Sequence, residues 1–301
     1  MCGFAGFLGG PISGDKELAK ATLEAMTRQI SSRGPDSDGV WSQPDDSIAL
    51  GHRRLSILDL SPAGHQPMKS VSSRYTIAFN GEIYNSDELK KKINDIKLNG
   101  YSDTEVLVNL FSKYGIKTLN FLEGMFSFVI YDKIMNKCII VRDRFGIKPL
   151  YFYNDENKLI FSSEIKPILN YIKNINLNVS AFKDFFLKGN LDNSSKTFFN
   201  NIKSLEPGNY LVYEKNKFVK KNYWSLFSNK IQDDDPSIIE KKVRQKIEDT
   251  ISKHLISDRE VGLFLSGGTD SASIAQIMSN KQKTKLKTFT YDFENNLNSE
   301  S

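Results

Sequence analysis

Cysteine and histidine are scarce: the 301 residues hold two Cys and three His. So few ligands, at spacings unlike any zinc motif, exclude a zinc-built fold, and two Cys cannot make a disulfide scaffold. A Cys2–Cys138 bridge can be drawn, but a chain without a secretory leader is expected to meet a reducing cytosol. Long apolar runs are missing as well. No stretch approaches the roughly 18 residues needed to span a bilayer, and Cys2 to Gly10 lacks the basic flank of a signal peptide. The expectation is a cytoplasmic chain with no membrane partner. Neither charge sign dominates, since 41 Lys and Arg against 36 Asp and Glu leave +5. The lysines at 90–92, 220–221 and 241–242 lack interleaved aromatics, so they read as solvated faces rather than a nucleic-acid patch. What remains is ordinary: 39% hydrophobic and 26% charged residues suit a globular protein long enough for two domains.

Leu18, Leu23, Met26 and Ile30 recur at helical spacing, ending at the turn signal Arg33-Gly34-Pro35-Asp36. Tyr75–Phe79 reads as a strand stopped by Asn80-Gly81, and Asp103–Tyr114 as an amphipathic helix. Phe126, Phe128 and Ile130 alternate, and Cys138–Val141, Leu150–Tyr153 and Leu159–Phe161 follow after short turns, which predicts antiparallel sheets. The character changes after Trp224. A polar stretch ends at Pro236 and opens a helix carrying Ile239, Val243, Ile247 and Ile251 on one face. Then come a strand at Glu260–Leu265, the loop Ser266–Ser271, a helix through Met278 and a strand at Leu286–Tyr291. Strand, glycine loop, helix and strand begin a parallel α/β domain. Two strands cannot bury both faces of such a sheet, so the chain is expected to be truncated. The expected domains are 2–215, a linker at 216–236, and 237–301.

Cys2 draws attention because removing Met1 leaves it at the N-terminus, where it carries a thiol and a free α-amine together. That amine has an intrinsic pKa of about 7.7–8.0, so one residue supplies both nucleophile and base. Asn80-Gly81 is a common hairpin turn; the alternative is an oxyanion site made from the Asn80 carboxamide and the Gly81 N–H. Arg53 and Arg54 can form surface ion pairs, or one can clamp a carboxylate bidentately. Asp103 suits a helix N-cap and can equally accept from an ammonium group. Ser266-Gly267-Gly268-Thr269-Asp270-Ser271, between strand and helix, suits a bound pyrophosphate, with Ser266 and Ser271 as donors and Asp270 as a candidate Mg²⁺ ligand. No Lys follows, so it is not a Walker A loop, and a plain capping turn is the alternative.

Taken together, these segments resemble the glutamine-hydrolysing asparagine synthetases, whose N-terminal domain is a class II glutamine amidotransferase. The likeness runs in order through Met1–Gly6, Arg33–Asp36, His52–Ser61, Gly64–Met68, Asn80–Asn85, Ser102–Glu105, Arg142–Tyr151, Ser163-Glu164 and Ser266–Ser271. The resemblance implies an α+β N-terminal-nucleophile hydrolase, a four-layer αββα sandwich, followed by a truncated α/β domain of the ATP-pyrophosphatase type. It implies that Cys2 attacks the glutamine side-chain amide and releases ammonia, with Asn80 and Gly81 as the oxyanion site. Arg54 matches the carboxylate-binding arginine, Glu82 and Asp103 match residues holding the α-amino end, and Arg54, Leu55, Ser56, Ile57 and Leu58 line the glutamine pocket. Leu265, Ser266, Gly267, Gly268, Asp270 and Ser271 match the loop where ATP and Mg²⁺ activate aspartate as an acyl-adenylate. The implied small molecules are glutamine, aspartate and ATP; no nucleic acid is implied, and a homodimer is the oligomer considered. A sugar-phosphate aminating enzyme or a phosphoribosyl amidotransferase would share Cys2 but lack Ser266–Ser271. A related enzyme with another carboxylate or sugar-linked acceptor stays open. A non-catalytic binding module is disfavoured by the intact set Cys2, Arg54, Asn80, Gly81 and Asp103.

Overall fold

The computed structural model describes residues 2–9, 15–43, 48–155, 158–172, 174–191, 195–214, 217–228, 235–281 and 285–291. They divide into two compact units, Met1–Ser228 and Asn229–Ser301.

The first unit is built on two six-stranded antiparallel sheets. One contains β1 (Gly3–Gly9), β2 (Ser37–Gln43), β3 (Ile48–Arg54), β8 (Tyr151–Asn154), β9 (Lys158–Ser162) and β10 (Ile202–Ser204), in the order β10-β8-β9-β1-β3-β2. The other contains β4 (Met68–Lys69), β5 (Tyr75–Ile83), β6 (Gly124–Asp132), β7 (Lys137–Arg142), β11 (Asn209–Glu214) and β12 (Lys217–Asn222), in the order β12-β11-β7-β6-β5-β4. Alternation sorts the strand residues into layers. Phe4 and Leu8 of β1 meet Val129, Tyr131 and Cys138 between the sheets, whereas Ala5 and Phe7 point the other way. On that outer face lie Leu23 and Met26 of α1 (Lys16–Arg28) and Ile168 of α4 (Ile165–Tyr171). Ile77, Phe79, Phe126 and Phe128 instead pack on Val106, Leu110 and Phe111 of α3 (Asp103–Tyr114), with Leu89 of α2 (Ser86–Lys90). Helix, sheet, sheet and helix make the four αββα layers implied by the resemblance. Helix α5 (Val179–Lys188) completes the unit.

Four expectations need correction. Leu18 is exposed, so α1 buries Leu23 and Met26, with Ile30 just past its end, and not the whole stripe. Asn80-Gly81 does not stop a strand: β5 runs through to Ile83, its ladder with β6 extending from Tyr75↔Asp132 to Ile83↔Gly124. Helix α3 is capped by Ser102, whose hydroxyl accepts from Glu105 N at 3.2 Å, which leaves Asp103 free of the capping role. The expected linker at 216–236 begins too early. Residues 217–222 are β12, paired with β11 along its length, and Phe218 packs against the inter-sheet core. Its lysines had masked the alternation. Cys2 and Cys138 are both free thiols.

The second unit holds α6 (Pro236–His254), β13 (Gly262–Phe264), α7 (Thr269–Lys281) and β14 (Lys287–Phe289). Asp235 caps α6 by accepting from Ser237 N at 2.8 Å, with Pro236 in the first turn where no N–H is needed. Strands β13 and β14 are parallel, as expected, but shorter than the sequence pattern suggests. No helix among the described residues is long and apolar enough to cross a membrane.

Candidate active site

A cavity of about 250 Å³ opens in the first unit, where Cys2 precedes β1, the loop after β3 turns back, and β5 leaves the sheet toward α3. Cys2, Arg54, Asn80, Gly81, Glu82 and Asp103 all line it. These residues span a hundred positions in sequence and meet only through the sandwich.

Cys2 is held by the loop after β3. Its sulfur accepts from Leu55 N at 3.3 Å, and its thiol donates to Leu55 O at 3.4 Å. Its own carbonyl accepts from Arg33 Nε at 3.0 Å. Burial pushes the thiol pKa up, against smaller opposing effects from the Leu55 N–H, the chain's terminal amine and Arg54. The resting group is therefore a thiol, and its ionisation needs a base.

Asn80 is fully buried, yet among the described residues neither its Oδ1 nor its Nδ2 has a hydrogen-bond partner. Leaving a buried carboxamide unpaired costs about 1–3 kcal/mol per group, and such groups are rare without a function. Asn80 is one of the residues that line the cavity holding the thiol. Next to it, a Cβ at Gly81 would run into the Met125 carbonyl oxygen and crowd Phe126, so only glycine lets β5 and β6 approach this closely. A carboxamide and a backbone N–H side by side can stabilise a negative oxygen.

Arg54 is buried, and its guanidinium is wrapped by the loop it lines: it donates to Ser61 O at 3.1 Å, Leu58 O at 3.3 Å and Asp59 O. The sequence suggested a carboxylate clamp or a surface ion pair. The structure shows a loop organiser that also faces the cavity, with three of its five N–H groups seen on carbonyls. Leu55, Ile57 and Leu58 join the lining, whereas Ser56 does not; its N–H donates to Asp36 Oδ2 at 2.8 Å.

Two carboxyl residues also line the cavity. Burial raises the pKa of Glu82 to about 7, with Asp103 adding to the rise and Lys148 opposing it. Burial likewise raises Asp103 to about 6, against hydrogen bonds that include Ile83 N at 2.9 Å. Two acids held near neutrality favour a cationic guest between them. Lys148 is buried in the same lining, and burial lowers its pKa.

In the second unit, Gly267 takes φ of +83°, a left-handed conformation that suits glycine, at the turn between β13 and α7. Ser266 Oγ lies 3.2 Å from Ser271 Oγ, and Ser271 Oγ donates to Gly268 O at 3.0 Å. Leu265 N donates to Phe289 O at 2.9 Å, which ties the loop to β14. Asp270 stands in the first turn of α7. Among the described residues no group of three or more His, Cys, Asp or Glu is placed to hold a metal ion.

With this geometry in hand, comparison with known proteins is decisive. Residues 1–224 match the family model of the glutamine amidotransferase domain. The chain belongs to the glutamine amidotransferase family. Residues 242–301 match the family model of asparagine synthase. Glutamine-hydrolyzing asparagine synthetase 2 of Bacillus subtilis (strain 168) is 38% identical, covering 96% of this chain and 40% of its own. Amidase chry2 of Gibberella zeae is 34% identical, covering 95% of this chain and 44% of its own. The chain thus spans about two-fifths of the length of these relatives. Among solved structures, the glutamine phosphoribosylpyrophosphate amidotransferase of B. subtilis has a TM-score of 0.54 at 18% identity, over 96% of this chain and 65% of that one. At that identity the likeness is one of fold.

Lys148 and Gln66 of this amidotransferase domain also line the cavity, and nothing in their local sequence marks them. His52 carries a legible signal. Ile48, Leu50 and His52 share one face of β3, so a polar ring continues an apolar, inward-facing row.

Proposed function

We propose that this chain hydrolyses glutamine at Cys2, once Met1 is removed, and that the full-length protein passes the ammonia to an ATP-activated carboxylate. The observation that carries the reading is the unpartnered, fully buried Asn80 carboxamide sharing one cavity with a thiol at the chain's start. Glutamine enters as a zwitterion. Its carboxylate faces Arg54 and its ammonium faces Glu82 and Asp103, which fixes the side-chain amide against the sulfur.

The α-amine of Cys2 takes the thiol proton, and the sulfur attacks the amide carbon. The oxygen becomes an oxyanion that accepts from the Asn80 carboxamide and the Gly81 N–H. Collapse breaks the C–N bond, and the α-ammonium returns its proton to the departing ammonia. A γ-glutamyl thioester remains on Cys2. Water, deprotonated by the same amine, attacks it, and collapse releases glutamate with the thiol restored.

Asparagine is the proposed product of the full-length protein, with aspartate as acceptor and AMP and pyrophosphate released. Support comes from the match of residues 242–301 to asparagine synthase and from the backbone turn of Leu265–Ser271. Ser266, Gly267, Gly268, Asp270 and Ser271 would face the ATP phosphates. Mg²⁺ would arrive with ATP. A cytoplasmic setting and a homodimer belong to the same proposal. A second reading, the same chemistry with another acceptor, is favoured by the 34% identity to amidase chry2. Glutamate and ammonia released from glutamine by this chain, and lost in Cys2→Ala, test the first half. Products formed by the full-length protein from ATP, glutamine and aspartate separate the two acceptors.

A further inference from the structure

His52 is fully buried in the layer between the sheets, in line with Ile48 and Leu50, and no described residue pairs with its Nδ1. A polar ring in a dry layer needs a reason. Its Nε2 lies 2.9 Å from the Phe79 carbonyl oxygen, on the opposite sheet. A carbonyl only accepts, so Nε2 carries the proton, and the ring is the neutral tautomer with a bare Nδ1. Burial lowers its pKa to about 4, which keeps it neutral around pH 7.

Phe79 is held from a second direction. Its N–H donates to Gln66 Oε1 at 2.7 Å, and Gln66 Nε2 donates to Thr104 Oγ1 at 3.2 Å. The ladder between β4 and β5 pairs Met68 with Ile77 and Lys69 with Thr76, then ends. Continued by two residues, that register puts Gln66 opposite Phe79, but it is the Gln66 side chain that takes the N–H. Phe79 therefore has no strand neighbour on this edge. A glutamine side chain and a histidine ring take that neighbour's place, one on each polar group of its main chain. The next residue is Asn80.

We propose that His52 and Gln66 are positioning residues for the oxyanion site: His52 fixes the peptide plane between Phe79 and Asn80 through the Phe79 carbonyl, Gln66 fixes the plane before it through the Phe79 N–H, and together they set the direction in which the Asn80 carboxamide leaves β5. The inference rests on the Cys2 and Asn80 reading above. The Asn80 side chain has no hydrogen-bond partner among the described residues to aim it, so its aim is inherited from the backbone that carries it. Without the clamp, the free edge at Phe79 can rotate, and the carboxamide turns with it. Neither His52 nor Gln66 needs to touch the reacting atoms for this effect.

The test compares two ligands of the full chain. The aldehyde analogue of glutamine forms a hemithioacetal with Cys2, whose oxygen occupies the oxyanion site; glutamate fills the pocket without forming one. In His52→Leu and Gln66→Leu, kcat and aldehyde affinity should fall together by about ten- to a hundredfold, less than the loss of an oxyanion donor itself. KM and glutamate affinity should stay within about twofold, because uniform binding is untouched. His52→Gln, which keeps a donor near the Nε2 position, should recover most of both losses. If His52→Leu fails to fold, Gln66→Leu carries the same comparison. Aldehyde and glutamate affinities that fall equally, or do not change, overturn the proposal. Wild-type protein that forms no hemithioacetal overturns instead the thiol reading beneath it.

Discussion

Leu55 holds the Cys2 sulfur with both polar groups of its own main chain, its N–H at 3.3 Å and its carbonyl oxygen at 3.4 Å. The carbonyl favours the thiol and the N–H favours the thiolate, so the sulfur is restrained in place through either protonation state. Burial adds to the preference for the thiol. A nucleophile so placed depends on a base beside it, and the proposed mechanism gives that role to the α-amine that Cys2 gains on removal of Met1.

Cys2→Ala should abolish glutamine hydrolysis and leave the melting temperature nearly unchanged, since among the described residues the thiol's hydrogen bonds go to the Leu55 main chain alone. Iodoacetamide should modify Cys2 well before Cys138, which is fully buried with its thiol pKa pushed far up. Peptide mass spectrometry reads the order of labelling. Faster labelling of Cys138 in folded protein would contradict the assignment.

Asn80→Ala should lower kcat by about 10²–10³-fold, the usual cost of one oxyanion donor. Because both polar side-chain atoms of Asn80 lack partners among the described residues, the same change should leave the chain equally or more stable. Kinetics and thermal unfolding on one preparation check the pair of signs. A variant that loses stability along with activity would mean that Asn80 is structural.

Glu82 keeps its proton to about pH 7 and Asp103 to about pH 6 in the folded chain, whereas both release it in the ordinary carboxylate range when unfolded. The native state therefore binds more protons across that window, and these two groups make stability fall as pH rises through it. Glutamine binding has the opposite sign, because its ammonium prefers ionised carboxyl groups. KM should decrease as pH rises from about 5 to about 7, and Glu82→Gln should raise KM and flatten that slope. A pH series of KM for the two proteins checks it; parallel profiles would exclude Glu82 from binding.

Asp143 fixes the loop that presents Lys148. Its carboxylate accepts from Phe126 N at 3.2 Å, Phe145 N and Ile147 N at 3.0 Å, and Lys148 N at 2.9 Å. Arg142 adds donations to Lys148 O at 2.9 Å and Gly146 O at 2.7 Å. Asp143→Ala should cost roughly 3 kcal/mol or more, since buried N–H groups lose a charged acceptor. A denaturant midpoint shifted by far less would show that the loop has other support.

Much of this was legible in the residues because the patterns were local. The apolar face of Asp103–Tyr114 and the alternation from Phe126 to Ile130 give α3 and β6 directly. The terminal thiol and the resemblance gathered most of the cavity lining. What stayed hidden depends on contacts far apart in sequence. Asn80-Gly81 has turn chemistry, but nine ladder pairs with β6 hold it in a strand. Asp103 and Ser102 both suit a cap, and only the geometry of Glu105 N decides between them. Nothing in the neighbours of His52 or Gln66 announces that both end on the main chain of Phe79. Lys217–Asn222 reads as linker because its three lysines are exposed and Phe218 is its one residue packed against the inter-sheet core.

The most direct measurement is the intact mass of the processed chain after exposure to a glutamine analogue carrying an electrophilic ketone at the side-chain end. The account predicts loss of Met1 and one adduct, located at Cys2 by fragmentation, with glutamine protecting against its formation. A chain that hydrolyses glutamine yet retains Met1, or carries the adduct on any other residue, would contradict it.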